Sequence, residues 1–231
     1  MKLIDESIRN LKAILWHIER SIEIEKFPIT GITYKECDYK VGTVLPDTSD
    51  FKPFTPDMTW GVERDAHIWF HFTVNVPEKY RGQEIKVVLR TQINDWDAVN
   101  PQFIAYVDGR IKQGLDTNHT YIMLDGEKDS YDVMLYGYSG MNSYRPELKL
   151  IADVVIENKD VKDLYYNIKV PFDAIEFLPE NTYEYQSLID ILEKGAQVVN
   201  MLKIPSEEFY ASIKKANEYL QKEFLFQKNF Y

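Results

Sequence analysis

Two histidines stand four residues apart in the segment WGVERDAHIWFHFTVNVP, which runs from Trp60 to Pro77. On a helix, His67 and His71 would face one metal ion at this spacing. From Ile68 onward, however, apolar and polar residues alternate, which is the period of a half-buried β-strand. A strand rises about 3.3 Å per residue, so it would hold the two imidazoles about 13 Å apart. We therefore predict no metal site, and we expect the face with His67, Trp69 and His71 to be covered by flanking helices or another domain.

A second set of residues pairs acids with histidines. Asp65 stands two residues before His67, and Asp116 stands three residues before His119 in the segment QGLDTNH. Aspartate and histidine at the ends of strands most often cap turns or bond to neighbouring strands, and we favour that interpretation. A site assembled from the two loops stays open as the alternative.

No catalytic motif stands out in the rest of the chain. There is neither a glycine-rich nucleotide loop nor a GxSxG nucleophile turn. Acidic residues are abundant enough to include the carboxylate pair of a glycosidase, yet no spacing singles out two of them. The one cysteine, Cys37, has no histidine near it in sequence, and we interpret it as a packed thiol. We therefore predict no catalytic residue in this chain.

One cluster combines an aromatic ring with polar neighbours: Asn94-Asp95-Trp96-Asp97, in a predicted loop between two strands. An exposed Trp ring can stack on the C–H face of a sugar while Asp and Asn bind its hydroxyls, so these four residues form a candidate carbohydrate-binding site. The same composition is typical of contacts with another domain. We favour domain contact, with sugar binding as the alternative.

The composition excludes several classes of partner. The 231 residues carry a net charge of −10 and the basic residues are scattered, so no nucleic-acid partner is expected. No stretch approaches the roughly 18 consecutive apolar residues of a membrane-spanning helix, and charges interrupt the first thirty residues, so we predict neither membrane association nor a signal peptide. A single cysteine cannot form an intramolecular disulfide, and we therefore predict a cytoplasmic protein.

The hydrophobic pattern divides the chain into three parts. Residues 1–30 hold an amphipathic helix, from Asp5 to about Glu25, which we expect to pack on the central domain. Residues 31–170 alternate at period two in many short segments, which predicts an antiparallel β-sandwich. Residues 171–231 return to helical spacing.

Local signals refine this division. Asp108-Gly109 separates two short alternating runs and predicts a two-residue hairpin. Leu164 to Val170 is expected to be the last strand of the sandwich. Pro205-Ser206 followed by two glutamates predicts a helix start near the end of the chain. The predicted fold class is mainly β with helical flanks.

Several of these pieces together resemble the amino-terminal domain of glycoside hydrolase family 38 α-mannosidases, of the cytosolic and bacterial type. The matching pieces lie in order along the chain: Trp60-Gly61, the His67-Ile68-Trp69-Phe70 strand, a proline-ended strand before Gly82, Asp108-Gly109, Gln113-Gly114-Leu115-Asp116 and His119. The resemblance is strongest from Trp60 to Leu124. A helix before these pieces and helices after them also suit that family.

The resemblance implies a jelly-roll, galactose-binding-like sandwich that precedes a catalytic domain. In that family the catalytic domain carries the zinc ligands and the nucleophilic aspartate, and its Asn-x-His-x-Asp run is missing here. The chain is thus expected to be a non-catalytic accessory domain of a zinc-dependent retaining α-mannosidase, continuing past Tyr231. Its expected partners are the catalytic domain of the same polypeptide, mannose-containing oligosaccharides and further copies in a homo-oligomer.

Two other functions stay open. A free-standing carbohydrate-binding module would suit the sandwich pattern and the loop at Asn94–Asp97. A self-contained hydrolase is the least favoured, because metal and nucleophile motifs are absent from the sequence.

Overall fold

A computed structural model describes residues 2–38, 44–63, 65–92, 96, 101–141, 147–180 and 182–227. The chain forms two compact units, a helical unit of Met1–Ile24 with Glu157–Tyr231 and a β-sandwich unit of Glu25–Ile156. The prediction of a mainly β chain with helices and antiparallel sheets is confirmed.

The sandwich unit contains two sheets. The four-stranded sheet has the order β1-β10-β5-β8, built from Glu23–Pro28, Ile151–Glu157, Ile85–Arg90 and Tyr121–Leu124. The six-stranded sheet has the order β3-β2-β4-β9-β6-β7, built from Lys52–Pro53, Thr33–Cys37, His67–Asn75, Ser130–Tyr138, Gln102–Val107 and Arg110–Leu115. In the six-stranded sheet, β4 pairs antiparallel with β2 and β9, and β9 with β6. A 3-10 helix at Glu78–Tyr80 follows β4.

The alternation predicted for β4 is confirmed. Its inward face places Ile68, Phe70, Phe72 and Val74 in the sandwich core, all at most 2% exposed. Each large apolar side chain buried in this way contributes about 1.5–3 kcal/mol of transfer free energy. Phe70 also makes edge-on contacts with the rings of Phe54 and Trp60, which join the strand to the flanking loops.

Trp69, on the outward face of β4, is covered from within the sandwich unit. Trp69 is 5% exposed and packs with Tyr106 and Met134 from β6 and β9. Leu45 and Phe51, from the connection before β3, pack on the same cluster. The flanking helices and a further domain are therefore not needed to bury this tryptophan, contrary to our expectation.

The hairpin at Asp108-Gly109 is also confirmed. Asp108 and Gly109 have φ values of 50° and 76° between β6 and β7, as a type I′ turn requires at its two central positions.

The described residues of the helical unit form four α-helices, α1 to α4, with the bounds Lys2–Glu19, Lys159–Ala174, Tyr183–Gln197 and Glu207–Gln227. Two 3-10 helices, Ile175–Phe177 and Met201–Lys203, lie in the connections. Leu11, Leu15 and Ile18 form the apolar stripe of α1, and they are buried in a core that α2, α3 and α4 complete. None of the described helices combines the length and apolar character that crossing a bilayer requires.

The structure divides the chain differently from the sequence pattern at both ends of the sandwich. Residues 1–30 do not form one helix, because α1 ends at Glu19 and Glu23–Pro28 form β1. Leu164 to Val170 is not a strand but part of α2. Val161, Leu164 and Ile168 recur at intervals of three and four and are all buried, which is the spacing of one helix face. The helical part therefore resumes at Lys159 rather than at residue 171.

Candidate functional site

An open groove of about 880 Å³ lies on the outward face of the six-stranded sheet, next to the Trp69 cluster. Cross-strand pairing explains how its floor is built. His67 on β4 stands opposite Tyr138 on β9, which stands opposite Gln102 on β6. These three residues form one row across the sheet, because directly opposed residues project to the same face.

A second row runs parallel to the first, two residues further along the strands. Trp69, Tyr136 and Ile104 stand opposite one another on β4, β9 and β6, and Gly114 on β7 follows Ile104. The groove is lined by the last three residues of this row. A Cβ atom added to Gly114 would meet its nearest neighbour, the carbonyl oxygen of Phe103, at 4.0 Å. The floor is therefore open at Gly114 because a side chain is missing there.

His67 is the most deeply buried polar side chain of the groove, with a side-chain exposure of 7%. Its ring stacks on Tyr138 with 5.0 Å between the ring centroids, and its Nδ1 shares a 2.9 Å hydrogen bond with the Tyr136 hydroxyl. Its Nε2 lies 3.6 Å from Oδ1 of Asp65, which projects from the loop before β4. His67 thus fixes the orientation of two tyrosines and lies beside one carboxylate.

Asp116 and His119 form the opposite rim of the groove, at the turn between β7 and β8. Their backbones exchange two hydrogen bonds, which close a two-residue hairpin loop. Oδ1 of Asp116 accepts from the backbone N–H groups of Asn118 and His119 and from the His119 ring nitrogen Nδ1, all within 3.0 Å. The N–H of Asn118, and then the His119 side chain, lower the pKa of Asp116 below its ordinary value, so the carboxylate stays ionised.

The structure brings together the two Asp/His pairs that the sequence placed about fifty residues apart. The interpretation of Asp116 as a turn cap agrees with its hydrogen bonds, and the alternative of a shared site agrees with the groove that contains both pairs. His71 is separate from this arrangement, since its Nε2 lies 2.6 Å from Oδ1 of Asp132.

The groove offers hydrogen-bonding and apolar side chains, with two carboxylates among them. Within the described ranges, no three His, Cys, Asp or Glu side chains are placed to hold a metal ion. The described lining contains no Ser, Cys or Lys, and its carboxylates are those of Asp65 and Asp116. What it does contain is a floor of aromatic and apolar side chains with hydrogen-bonding groups on both rims.

The loop predicted to bind carbohydrate does not form an exposed platform at its tryptophan. Trp96 is 6% exposed, its ring contacts Phe103 edge-on, and its Nε1 donates a 3.2 Å hydrogen bond to the carbonyl of Pro101. The ring belongs to the sandwich core and cannot stack on a sugar. Asn94, Asp95 and Asp97 lie outside the described residues.

The other motif residues have identifiable structural roles. Trp60 is 3% exposed and forms a backbone bridge with Leu148, and Gly61 follows it with a φ of 69°. A Cβ at Gly61 would lie 2.8 Å from a Leu148 methyl carbon, so this position has no room for a side chain. Gln113 donates a 2.9 Å hydrogen bond to the carbonyl of Tyr121 and so holds β7 to the start of β8.

Four groove residues were missed by the sequence reasoning: Gln102, Ile104, Tyr136 and Tyr138. A signal was available, because in each strand the two residues stand at i and i+2 and alternate with buried residues such as Phe103 and Gly137. What the pattern could not supply was the order of the strands in the sheet.

Comparisons with known proteins give matches among solved structures alone. No protein-family model matches the chain, and no curated protein matches it. Among solved structures, the chain is similar to a β-glucuronidase from Bacteroides uniformis, with a TM-score of 0.40, 10% identity, and coverage of 57% of this chain and 18% of that chain. It is also similar to a Ruminococcus gnavus β-glucuronidase, with a TM-score of 0.39, 8% identity, and coverage of 59% and 29%. The chain thus spans less than a third of the length of either enzyme.

Proposed function

We propose that this chain is a non-catalytic accessory region of an α-mannosidase and acts together with a catalytic domain in the same polypeptide. One observation supports the proposal most. Two of the segments that carry the resemblance, around His67 and from Gly114 to His119, are far apart in sequence but contribute residues to one groove. If the sequence matches were coincidental, we would not expect the matching residues to lie on one surface of the folded chain.

The finer fold that belongs to this proposal is a jelly-roll, galactose-binding-like sandwich. Two antiparallel sheets of four and six strands around one apolar core suit that architecture. A cytoplasmic location belongs to the same proposal and is supported by the single cysteine.

The chemistry of the proposed enzyme resides in its catalytic domain. That domain would hold the zinc ion and the carboxylate nucleophile that act on terminal α-linked mannose. The present chain would contribute by packing on the catalytic domain or by joining subunits of a homo-oligomer.

Hydrolysis of 4-nitrophenyl α-D-mannopyranoside in the presence of zinc tests the proposal. The 231-residue chain alone is expected to show no turnover above buffer. A polypeptide translated from the coding sequence extended past Tyr231 is expected to hydrolyse the substrate and to lose activity with a chelator. A stop codon directly after Tyr231 would contradict the proposal, and so would full activity in the extended polypeptide after removal of residues 1–231.

A free-standing carbohydrate-binding module is the second candidate. The sugar site predicted for such a module at Asn94–Asp97 has no exposed tryptophan ring, because Trp96 is buried. The groove on the six-stranded sheet is the feature that still favours it, since it combines aromatic rings with hydrogen-bonding rims.

A further inference from the structure

We propose that the groove binds a neutral saccharide, with a sugar ring lying along the tyrosine side of the floor and its hydroxyls bonded to Gln102, Asp116 and His119. This site is new, and it goes beyond the accessory role, which does not require that the chain itself bind sugar. Four lines of observation lead to it: the size of the groove, its floor, its rims and its charge.

The size of the groove suits a small ligand of more than one ring. Its volume of about 880 Å³ falls within the roughly 300–1,000 Å³ typical of small-molecule sites. The floor crosses four strands, β4, β9, β6 and β7, which at about 4.8 Å between neighbours spans about 14 Å. An elongated ligand such as a disaccharide fits this shape.

The aromatic side chains of the floor contact a ligand from one side and do not surround it. Tyr136 and Tyr138 stand at i and i+2 on β9, so both rings project to the same side of the sheet. Both rings stack on the buried His67, at 5.7 and 5.0 Å between ring centroids, and the Tyr136 hydroxyl shares a hydrogen bond with its Nδ1, so their positions are fixed. Ile104, which is 40% exposed, extends the apolar surface toward the open position at Gly114. These side chains give the floor a partly apolar surface against which the C–H groups of a pyranose ring can pack.

The rims provide the polar groups that a polyol needs. Asp116 uses Oδ1 for its three turn hydrogen bonds, and its Oδ2 has no partner among the described residues. In the same part of the chain, Nε2 of His119 and the side-chain amide of Gln102 also make no hydrogen bond. Together they present a carboxylate acceptor, an imidazole nitrogen and an amide that both donates and accepts. Neighbouring sugar hydroxyls donate and accept in the same way.

The charge of the groove selects against acidic ligands. Asp65 and Asp116 place a carboxylate on each rim, and no Lys or Arg is found in the described lining. A uronate or phosphate would meet repulsion on both sides without a compensating cation. An organic cation would meet attraction, but the two rings on one floor do not surround a ligand as an aromatic cage does.

Calorimetric titration of the 231-residue chain tests the proposal, with α-mannobiose, cellobiose, glucuronate and choline as probes. At least one of the two neutral disaccharides is expected to bind at millimolar concentration, and glucuronate and choline are each expected to bind at least about tenfold more weakly. Gln102→Ala is expected to weaken disaccharide binding by about fivefold to tenfold, because it removes hydrogen bonds made only to the ligand. Binding of cellobiose but not of α-mannobiose would support the groove site and count against the α-mannosidase assignment.

A matched pair of variants on β7 separates the groove from the rest of the surface. Gly114→Phe places a ring in the open part of the floor, where the backbone leaves room, and is expected to abolish disaccharide binding without lowering the melting temperature. Lys112→Phe adds the same ring to the same strand outside the groove and is expected to leave binding unchanged. The proposal is overturned if neither disaccharide binds, if choline or glucuronate binds more tightly than both, or if Gly114→Phe binds like Lys112→Phe.

Discussion

His67 illustrates how one buried side chain can organise a site without reacting. Its ring is stacked on Tyr138, one nitrogen shares a hydrogen bond with Tyr136, and the other lies near Asp65. His67, the first residue of β4, therefore links the two tyrosines of the groove floor to Asp65 on the rim. Its value to the site is the fixed position of the two tyrosine rings.

A substitution of Trp96 tests whether this residue stabilises the sandwich core or binds sugar. Trp96→Ala removes a buried ring, and we expect it to lower the free energy of unfolding by about 3–5 kcal/mol in urea denaturation. Ile111→Ala is the control, because Ile111 is 56% exposed and should change stability by less than about 0.5 kcal/mol. A Trp96→Ala protein of unchanged stability that has lost sugar binding would restore the loop as the site.

Asp125 carries a pH-dependent contribution to stability. The hydroxyl of buried Tyr131, and then the N–H of Glu127, lower the pKa of Asp125 below its ordinary value. Because its folded pKa lies below an unfolded value of about 3.9, the carboxylate stabilises the fold above about pH 4. This contribution is lost as the pH falls through the folded pKa.

Tyr131→Phe should therefore raise the pKa of Asp125 toward its ordinary value, as followed by NMR titration of the carboxyl carbon. The loss of stability should be larger at pH 7 than at pH 2, because only the ionised carboxylate accepts the hydroxyl hydrogen bond strongly. Tyr121→Phe, at a partly exposed ring, is the control. An Asp125 pKa that is the same in Tyr131→Phe and in the parent chain would refute this explanation.

At the scale of elements, β4 and α2 show where sequence patterns succeed and fail. β4 could be predicted because an apolar side chain recurs at every second position from Ile68 to Val74 and this face is wholly buried. The segment Leu164–Val170 was misread as a strand because a short apolar run fits both periods. The start signal of α2 was available, since Asn158 accepts a 3.1 Å hydrogen bond from the N–H of Val161 as an N-cap.

The groove could be predicted only in part. The Asp/His pairs at residues 65–67 and 116–119 were identified from residue type and spacing. Gln102, Ile104 and the two tyrosines were not, because only the order β4-β9-β6-β7 makes them neighbours of those pairs. Strand order depends on long-range pairing, which the local period of a strand does not encode.

The contact between α3 and α4 depends on a residue with no side chain. A Cβ atom on Gly195 would lie 2.6 Å from a methyl carbon of Leu220, which is fully buried. We expect Gly195→Ala to destabilise the helical unit by about 1–3 kcal/mol through overpacking, despite the higher helix propensity of alanine. Gly114→Ala, at an open position, should cost much less. Thermal unfolding followed by circular dichroism compares the two, and equal melting temperatures would contradict the close packing.

At the scale of the whole molecule, the chain builds two cores. The helical unit contains the residues up to Ile24 and those from Glu157 onward, and the sandwich unit lies between them in sequence. Each unit buries its own apolar cluster. The described residues that line the groove all belong to the sandwich unit, and the proposed binding function is assigned to that unit.

Amide chemical-shift mapping of the labelled chain during titration with α-mannobiose and cellobiose tests the central claim most directly. We expect saturable shifts at Gln102, Gly114 and Asp116 and in the last residues of β9, with the amides of the helical unit unchanged. Shifts centred on the residues around Trp96 or on the helical unit, or no shifts with either disaccharide, would contradict the claim that this groove is the functional surface.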